Sequence, residues 1–132
     1  MGKSRIQVVS AAICRNGRYL ITQRTERAVL PLLWEFPGGK VEPGERETAA
    51  LARELRERLG IEAKIGDKLS STEREYKDYV VELHLYRCEL GPIEPQPGVV
   101  KDMRWVASNE FERYEFTPAD QKSMDALLFG KC

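Results

Sequence analysis

The stretch Gly38–Ile61, GGKVEPGERETAALARELRERLGI, decides how this chain is read. It opens on a glycine pair, turns at Pro43-Gly44, runs into a charged amphipathic segment and stops at Gly60. Thr48, Leu51, Ala52, Leu55 and Leu59 recur at helical spacing and make one apolar stripe. The pattern predicts a helix from about Arg46 to Leu59, closed by Gly60. Glu47, Arg53, Glu54, Glu57 and Arg58 lie off the stripe. At about 100° per residue, Glu54 and Glu57 come within reach of each other one turn apart. Two carboxylates that close repel unless a cation or a proton relieves them. With carbonyl oxygens from the glycine turn nearby, such a helix can cradle a hard cation such as Mg²⁺. The plain alternative is a solvated face of Glu–Arg pairs, each worth little.

Toward the N-terminus, Ile6–Cys14 is β-rich and apolar, and Asn16-Gly17 is the pair favoured in two-residue hairpin turns. Arg18–Thr25 reads as the returning strand. Glu26–Leu33 is a loop, and Pro37 keeps Phe36 extended. Toward the C-terminus, Ile61–Tyr76 reads as a strand bending at Gly66-Asp67, and Tyr79–Cys88 as a second. Pro92, Pro95 and Pro97 mark a loop, Asp102–Val106 a short strand, and Ser108 a brief helical turn. Thr117-Pro118 places an N-cap before a proline, which predicts a last helix over Pro118–Phe129 with Gly130 after it. The order of elements implies an α+β fold with a mixed sheet packed between helices.

The chain has 132 residues, which suits one domain over 1–132. Lys+Arg and Asp+Glu both number 21, so charge makes no case for nucleic acid or an acidic membrane as partner. No stretch approaches the ~20 apolar residues a spanning helix needs. Cys14, Cys88 and Cys132 are odd in number and lack C-x-x-C spacing, which argues against a disulfide framework and fits a cytoplasmic chain. His84 is the only histidine, and a strand position makes it a core or edge residue. Trp105 reads as core packing, while Trp34 stands open between the core and a substrate contact.

Gly39, five residues, Glu45, seven residues, then Arg53-Glu54-Leu55-x-Glu57-x-x-Gly60-Ile61 resembles the Nudix box. Ile21–Arg24, Trp34–Lys40 and Phe116–Asp120 are similar to the matching segments of MutT-type enzymes. The resemblance implies a mixed sheet sandwiched between helices, an α/β/α arrangement. It also implies cleavage of a nucleoside triphosphate, possibly oxidised, such as 8-oxo-dGTP or CTP, to the monophosphate and pyrophosphate. By matching positions, Glu54, Glu57, Arg53 and Glu45 would be the catalytic set. The Gly38 carbonyl, Glu54 and Glu57 would hold Mg²⁺, with Mn²⁺ as a substitute. Asp102 is the first candidate for a further acidic ligand, ahead of Glu94 and Glu75. Arg24, Glu35, Phe36, Pro37, Gly38 and Asp120 would bind a small-molecule nucleotide, with Arg24 on phosphate and Asp120 on a base edge. A monomer or homodimer is expected. One position departs from the box: Arg58 stands where the family has a second, metal-binding Glu. A guanidinium there can pair with Glu54 at i,i+4. It supports the alternative of a nucleotide-binding module with weak or no catalysis.

Overall fold

The structure is a computed structural model that describes residues 2–128. Strand β1 spans Ser4–Arg15 and is the spine of the sheet. It turns at Asn16 and Gly17, both at positive φ (53° and 77°), into β2, Arg18–Gln23. That is the paired left-handed turn the Asn-Gly sequence predicts. β3, Trp34–Glu35, pairs with β2, and β4, Gly38–Lys40, pairs with β1. Helix α1, Glu47–Leu59, follows. The long hairpin of β5, Ala63–Glu75, and β6, Tyr79–Leu90, comes next, and β6 runs parallel to β1. β7, Asp102–Val106, returns to β2. One parallel pairing among antiparallel ones makes the sheet mixed, in the order β3-β2-β1-β6-β5.

Alternation along β1 splits the core into two layers. Val9, Ala11 and Ile13 face α1, where they meet Leu51, Leu55 and Leu59. Ala12 faces the other way, toward Phe111 of a 3-10 turn and Leu127 of α2, Gln121–Leu127. Helical elements therefore cover both faces of the sheet, as an α+β fold of this kind requires.

Four local details refine the sequence expectations. α1 begins at Glu47 and ends at Gly60, whose φ of 67° lets its N–H reach the Arg56 carbonyl at 3.0 Å. The buried face of α1 is Ala50, Leu51, Glu54, Leu55 and Leu59. Thr48 is exposed instead, so the stripe is rotated and carries Glu54 inward. The bend in β5 is real: its register with β6 shifts between Ile65 and Ser70. The last helix is shorter than expected. Pro118–Asp120 is a 3-10 turn, and the Thr117 hydroxyl donates to the Asp120 carboxylate rather than capping. Phe129, Gly130 and Cys132 lie outside the described residues.

Of the cysteines, Cys88 is buried and free, and burial pushes its thiol up to about 12. Cys14 is half-buried and packs against the core layer of Ala12 and Phe111. His84 packs in β6 against the Ser71 hydroxyl at 2.8 Å. Trp34 is half-buried and sets its ring edge-on to Tyr114, 5.1 Å away, beside the second core layer. Trp105 packs on the core under the Arg15 guanidinium. Among the described residues no helix is long and apolar enough to cross a membrane.

Candidate active site

One arginine assembles the site. Arg53, midway along α1, donates from Nε and Nη2 to the two oxygens of Glu45, each at 2.9 Å. Its Nη1 reaches Glu54 at 2.9 Å and Glu57 at 3.3 Å. Nη2 also donates to the Lys40 carbonyl at 3.1 Å. A planar fork suits this task, because its donors lie in fixed directions. The result staples the turn after β4 to the helix. Arg53, with help from the Glu42 N–H, holds the Glu45 carboxyl well below its ordinary range, at about 2.

Glu54 is the buried member of the set, with 8% of its surface exposed. Arg53 takes one of its oxygens and the Arg58 Nε takes the other, at 2.6 Å. Its carboxylate rests on the bare Cα of Gly39; a Cβ there would lie 2.2 Å from the carboxylate carbon. Glycine is required at position 39 for this close approach. At Gly38 the reason differs, since a Cβ would fall 1.9 Å from the Val9 carbonyl oxygen of β1.

These groups open onto a cleft of about 770 Å³. Arg24, Glu35, Glu54 and Arg58 bring charge to its walls. Ile6, Val8, Val81 and Leu83 add apolar surface. Tyr76 and Tyr79 also line it, their rings stacked 5.0 Å apart at the tip of the β5–β6 hairpin. Phe36 and Asp120 line it as well. Arg24 donates from Nη1 to Glu35 at 2.9 Å and from Nε to the Val29 carbonyl at 2.8 Å. Burial raises the Glu35 carboxyl, and the Arg24 guanidinium pulls against it.

Asp120 is 4% exposed, and its Oδ1 has no hydrogen-bond partner. Burial first, then the nearby Glu35 charge, push its carboxyl from 3.8 to about 7; the Thr117 hydroxyl and the Phe36 backbone pull the other way. A raised acid in the folded state holds a proton that the unfolded chain has released. Stability must therefore fall as pH rises from about 4 to about 7, by about 4 kcal/mol in all. Asp120→Asn removes the titration. Unfolding melts across pH 4 to 8.5 should show the variant gaining on the parent with pH and overtaking it at the alkaline end. Parallel pH curves for the two would mean that Asp120 is ionised throughout.

Of the residues expected from the sequence, Arg24, Glu35, Phe36, Gly38, Glu54 and Asp120 line the cleft. Arg53, Glu45 and Glu57 lie outside the lining and are joined to Glu54 through the Arg53 fork. Pro37 lies outside the lining and anchors β1, its carbonyl accepting the Ala11 N–H at 2.8 Å. Asp102 is not brought to this set. It starts β7, opposite Gln23, and its carboxylate accepts from the Met103 N–H and the Arg104 guanidinium. Glu94 is paired with Arg15 and Glu75 with Lys3. The acid that does reach the cleft is Glu42, which the sequence reading missed along with Tyr76 and Tyr79. Pro43-Gly44 is the signal that could have flagged Glu42, since the turn folds it back toward the helix.

The donor set suits a hard divalent cation. Glu54 and Glu57 converge on one cationic atom, Arg53 Nη1, and every candidate donor is an oxygen. Two carboxylates and a strand carbonyl make a sparse shell; among the described residues no group of three His, Cys, Asp or Glu is gathered tightly enough to bind an ion.

A cleft over the inner strands β1 and β6 of a mixed sheet, with a glycine-seated glutamate on a helix, frames the class of the chain. The family model of the NUDIX domain matches residues 8–126, and the chain belongs to the Nudix family. Within it the chain is a hydrolase of the MutT type. It is 38% identical over 123 residues to the CTP pyrophosphohydrolase of Escherichia coli K12, covering 93% of this chain and 91% of that protein. It is 35% identical over 130 residues to the 8-oxo-dGTP diphosphatase of Haemophilus influenzae, covering 97% and 95%. The solution structure of MutT from methicillin-resistant Staphylococcus aureus matches with a TM-score of 0.79 at 39% identity, over 96% of this chain and 98% of that one.

Proposed function

We propose that the chain cleaves nucleoside triphosphates to the monophosphate and pyrophosphate in a Mg²⁺-dependent reaction, with Mn²⁺ as a substitute. The observation that carries this is the Glu54 carboxylate, buried, seated on Gly39 and set in the wall of the cleft beside Arg58. The cleft carries groups suited to both halves of a nucleotide. Arg24 and Arg58 offer guanidinium groups to phosphate. Tyr76 and Tyr79 offer ring surface to a base, the buried Phe36 supports the wall, and the unpartnered Asp120 Oδ1 offers a contact to the base edge.

In this reading Glu54, Glu57 and the Gly38 carbonyl hold the cation, which neutralises phosphate oxygens and acidifies water when bound. Glu54 accepts the proton of the attacking water, a role open to a carboxylate within one hydrogen bond of it. Arg53 and Glu45 fix the two acids from behind, as partners of ligands commonly do. Glu42 on the rim replaces Asp102 as the further acid. Arg24 bridges Glu35 and the Val29 loop, so phosphate binding and loop position are joined through one side chain.

The named activities of the relatives point to 8-oxo-dGTP and CTP as substrate classes and to nucleotide-pool sanitation; the cytoplasm is the location this reading assigns. A single domain over 1–132, acting alone or as a homodimer on a small molecule, suffices, since one chain supplies the whole described lining. Pyrophosphate release should be measured with 8-oxo-dGTP, dGTP and CTP under Mg²⁺. The expected result is kcat/KM at least about tenfold higher for 8-oxo-dGTP or CTP than for dGTP, a contrast of the size one well-placed polar contact supplies. Equal values for all of them would remove the base-reading role of Asp120. No release from any triphosphate, with Mn²⁺ tried as well, would remove the activity.

A further inference from the structure

Arg58 covers the carboxylate on which this site turns, and it does so from within the cleft. Its Nε sits 2.6 Å from Glu54 Oε2, while its side chain remains 37% exposed. Among the described residues its guanidinium makes no other hydrogen bond, so both terminal amino groups are left for an incoming partner. Arg24 is parked in the same manner on Glu35, another wall of the cleft. The Arg58 charge is felt by Glu35 as well, which places the two cations around one space.

Two ligands compete with this arrangement in opposite senses. A cation and the Arg58 N–H need the same Glu54 oxygen, and a cation beside an unmoved guanidinium is repelled. A polyphosphate offers the guanidinium more charge and more acceptors than one carboxylate oxygen does. Arg58 lies one helical turn beyond Glu54, so the exchange needs a side-chain swing and no change in α1.

We propose that Arg58 is a positioning residue that ties the two binding events together. In the free chain it masks Glu54; a polyphosphate draws it off and opens Glu54 to the cation. The device rests on the function proposed above and adds an order to it: metal binds weakly until the triphosphate is in place. Linkage makes the effect reciprocal.

The test uses the full chain and no turnover. Mn²⁺ binding to the nucleotide-free protein is followed by the resonance signal of the free ion. Binding of an α,β-imido nucleoside triphosphate is followed by calorimetry in EDTA. Arg58→Ala removes the mask at a half-exposed helix position where alanine is well tolerated. The variant should bind Mn²⁺ about tenfold more tightly and the metal-free triphosphate about tenfold more weakly, within the usual range of site coupling. A merely structural Arg58 would move both affinities the same way, and that result overturns the proposal. So does an unchanged value for either ligand. Glu54→Gln in both backgrounds separates the two levels. If it weakens Mn²⁺ binding while Arg58→Ala has no effect, only the mask falls. If it leaves Mn²⁺ binding untouched in both, the metal role of Glu54 falls with it.

Discussion

Replacing Glu54 by Gln should lower kcat for pyrophosphate release by about 10²–10⁴-fold, the range lost with a positioned acid or base. The fold should survive. Gln is isosteric, its amide oxygen can still accept from Arg53 or Arg58, and the helix packs through Leu51, Leu55 and Leu59. What disappears is a negative charge seated against Gly39. Arg58→Ala is not expected to mimic this loss, because it leaves the carboxylate and its seat intact. Equal kcat for the parent and Glu54→Gln at saturating Mg²⁺ would show that some other group takes the proton.

The second large effect separates two adjacent glycines. Gly38→Ala drives a methyl into the β1 backbone, 1.9 Å from the Val9 oxygen and 2.8 Å from the Ser10 Cα. Backbone cannot swing aside, so β4 must leave β1, giving up the pairings of Val8, Val9 and Ser10 with residues 38–40. The expected loss is about 3 kcal/mol or more, enough to leave much of the chain unfolded at 37 °C in a domain of ordinary stability. Gly39→Ala meets only the Glu54 carboxylate. That group can swing out, at the cost of its bonds to Arg53 and Arg58. Gly39→Ala should therefore keep a cooperative melt within a few degrees of the parent and show the activity of Glu54→Gln. Circular dichroism melts run beside pyrophosphate assays distinguish the two. Similar melting losses at both positions would contradict the seat assigned to Gly39.

Much of this was legible before any coordinates, because the relevant signals are local. Asn16-Gly17 demands two positive φ angles, Gly60 one more, and the period of α1 survives in the structure. Helix geometry alone brings Glu54 and Glu57 together, and the resemblance to the Nudix box adds Arg53 and Glu45, which the Arg53 fork joins to them. The failures were non-local. Periodicity put Glu54 off the apolar stripe, yet a buried charge that is clamped by two arginines can sit where an apolar residue would. Nothing in the β5–β6 turn announced that Tyr76 and Tyr79 would reach the cleft, since that depends on the parallel register of β6 against β1. The family resemblance implies a further acidic ligand from the later strands, and Asp102 is its first candidate there. The register of β7 with β2 ties it to Gln23 instead, and its own neighbours use its carboxylate.

The most direct test of the whole account is a Mg²⁺ titration of 8-oxo-dGTP and CTP turnover by the parent chain, with both products counted. The account predicts saturable activity in the metal, one pyrophosphate for each monophosphate, and loss of that activity in Glu54→Gln. Inorganic phosphate and a nucleoside diphosphate as products, or turnover indifferent to Mg²⁺ and to Glu54, would contradict it.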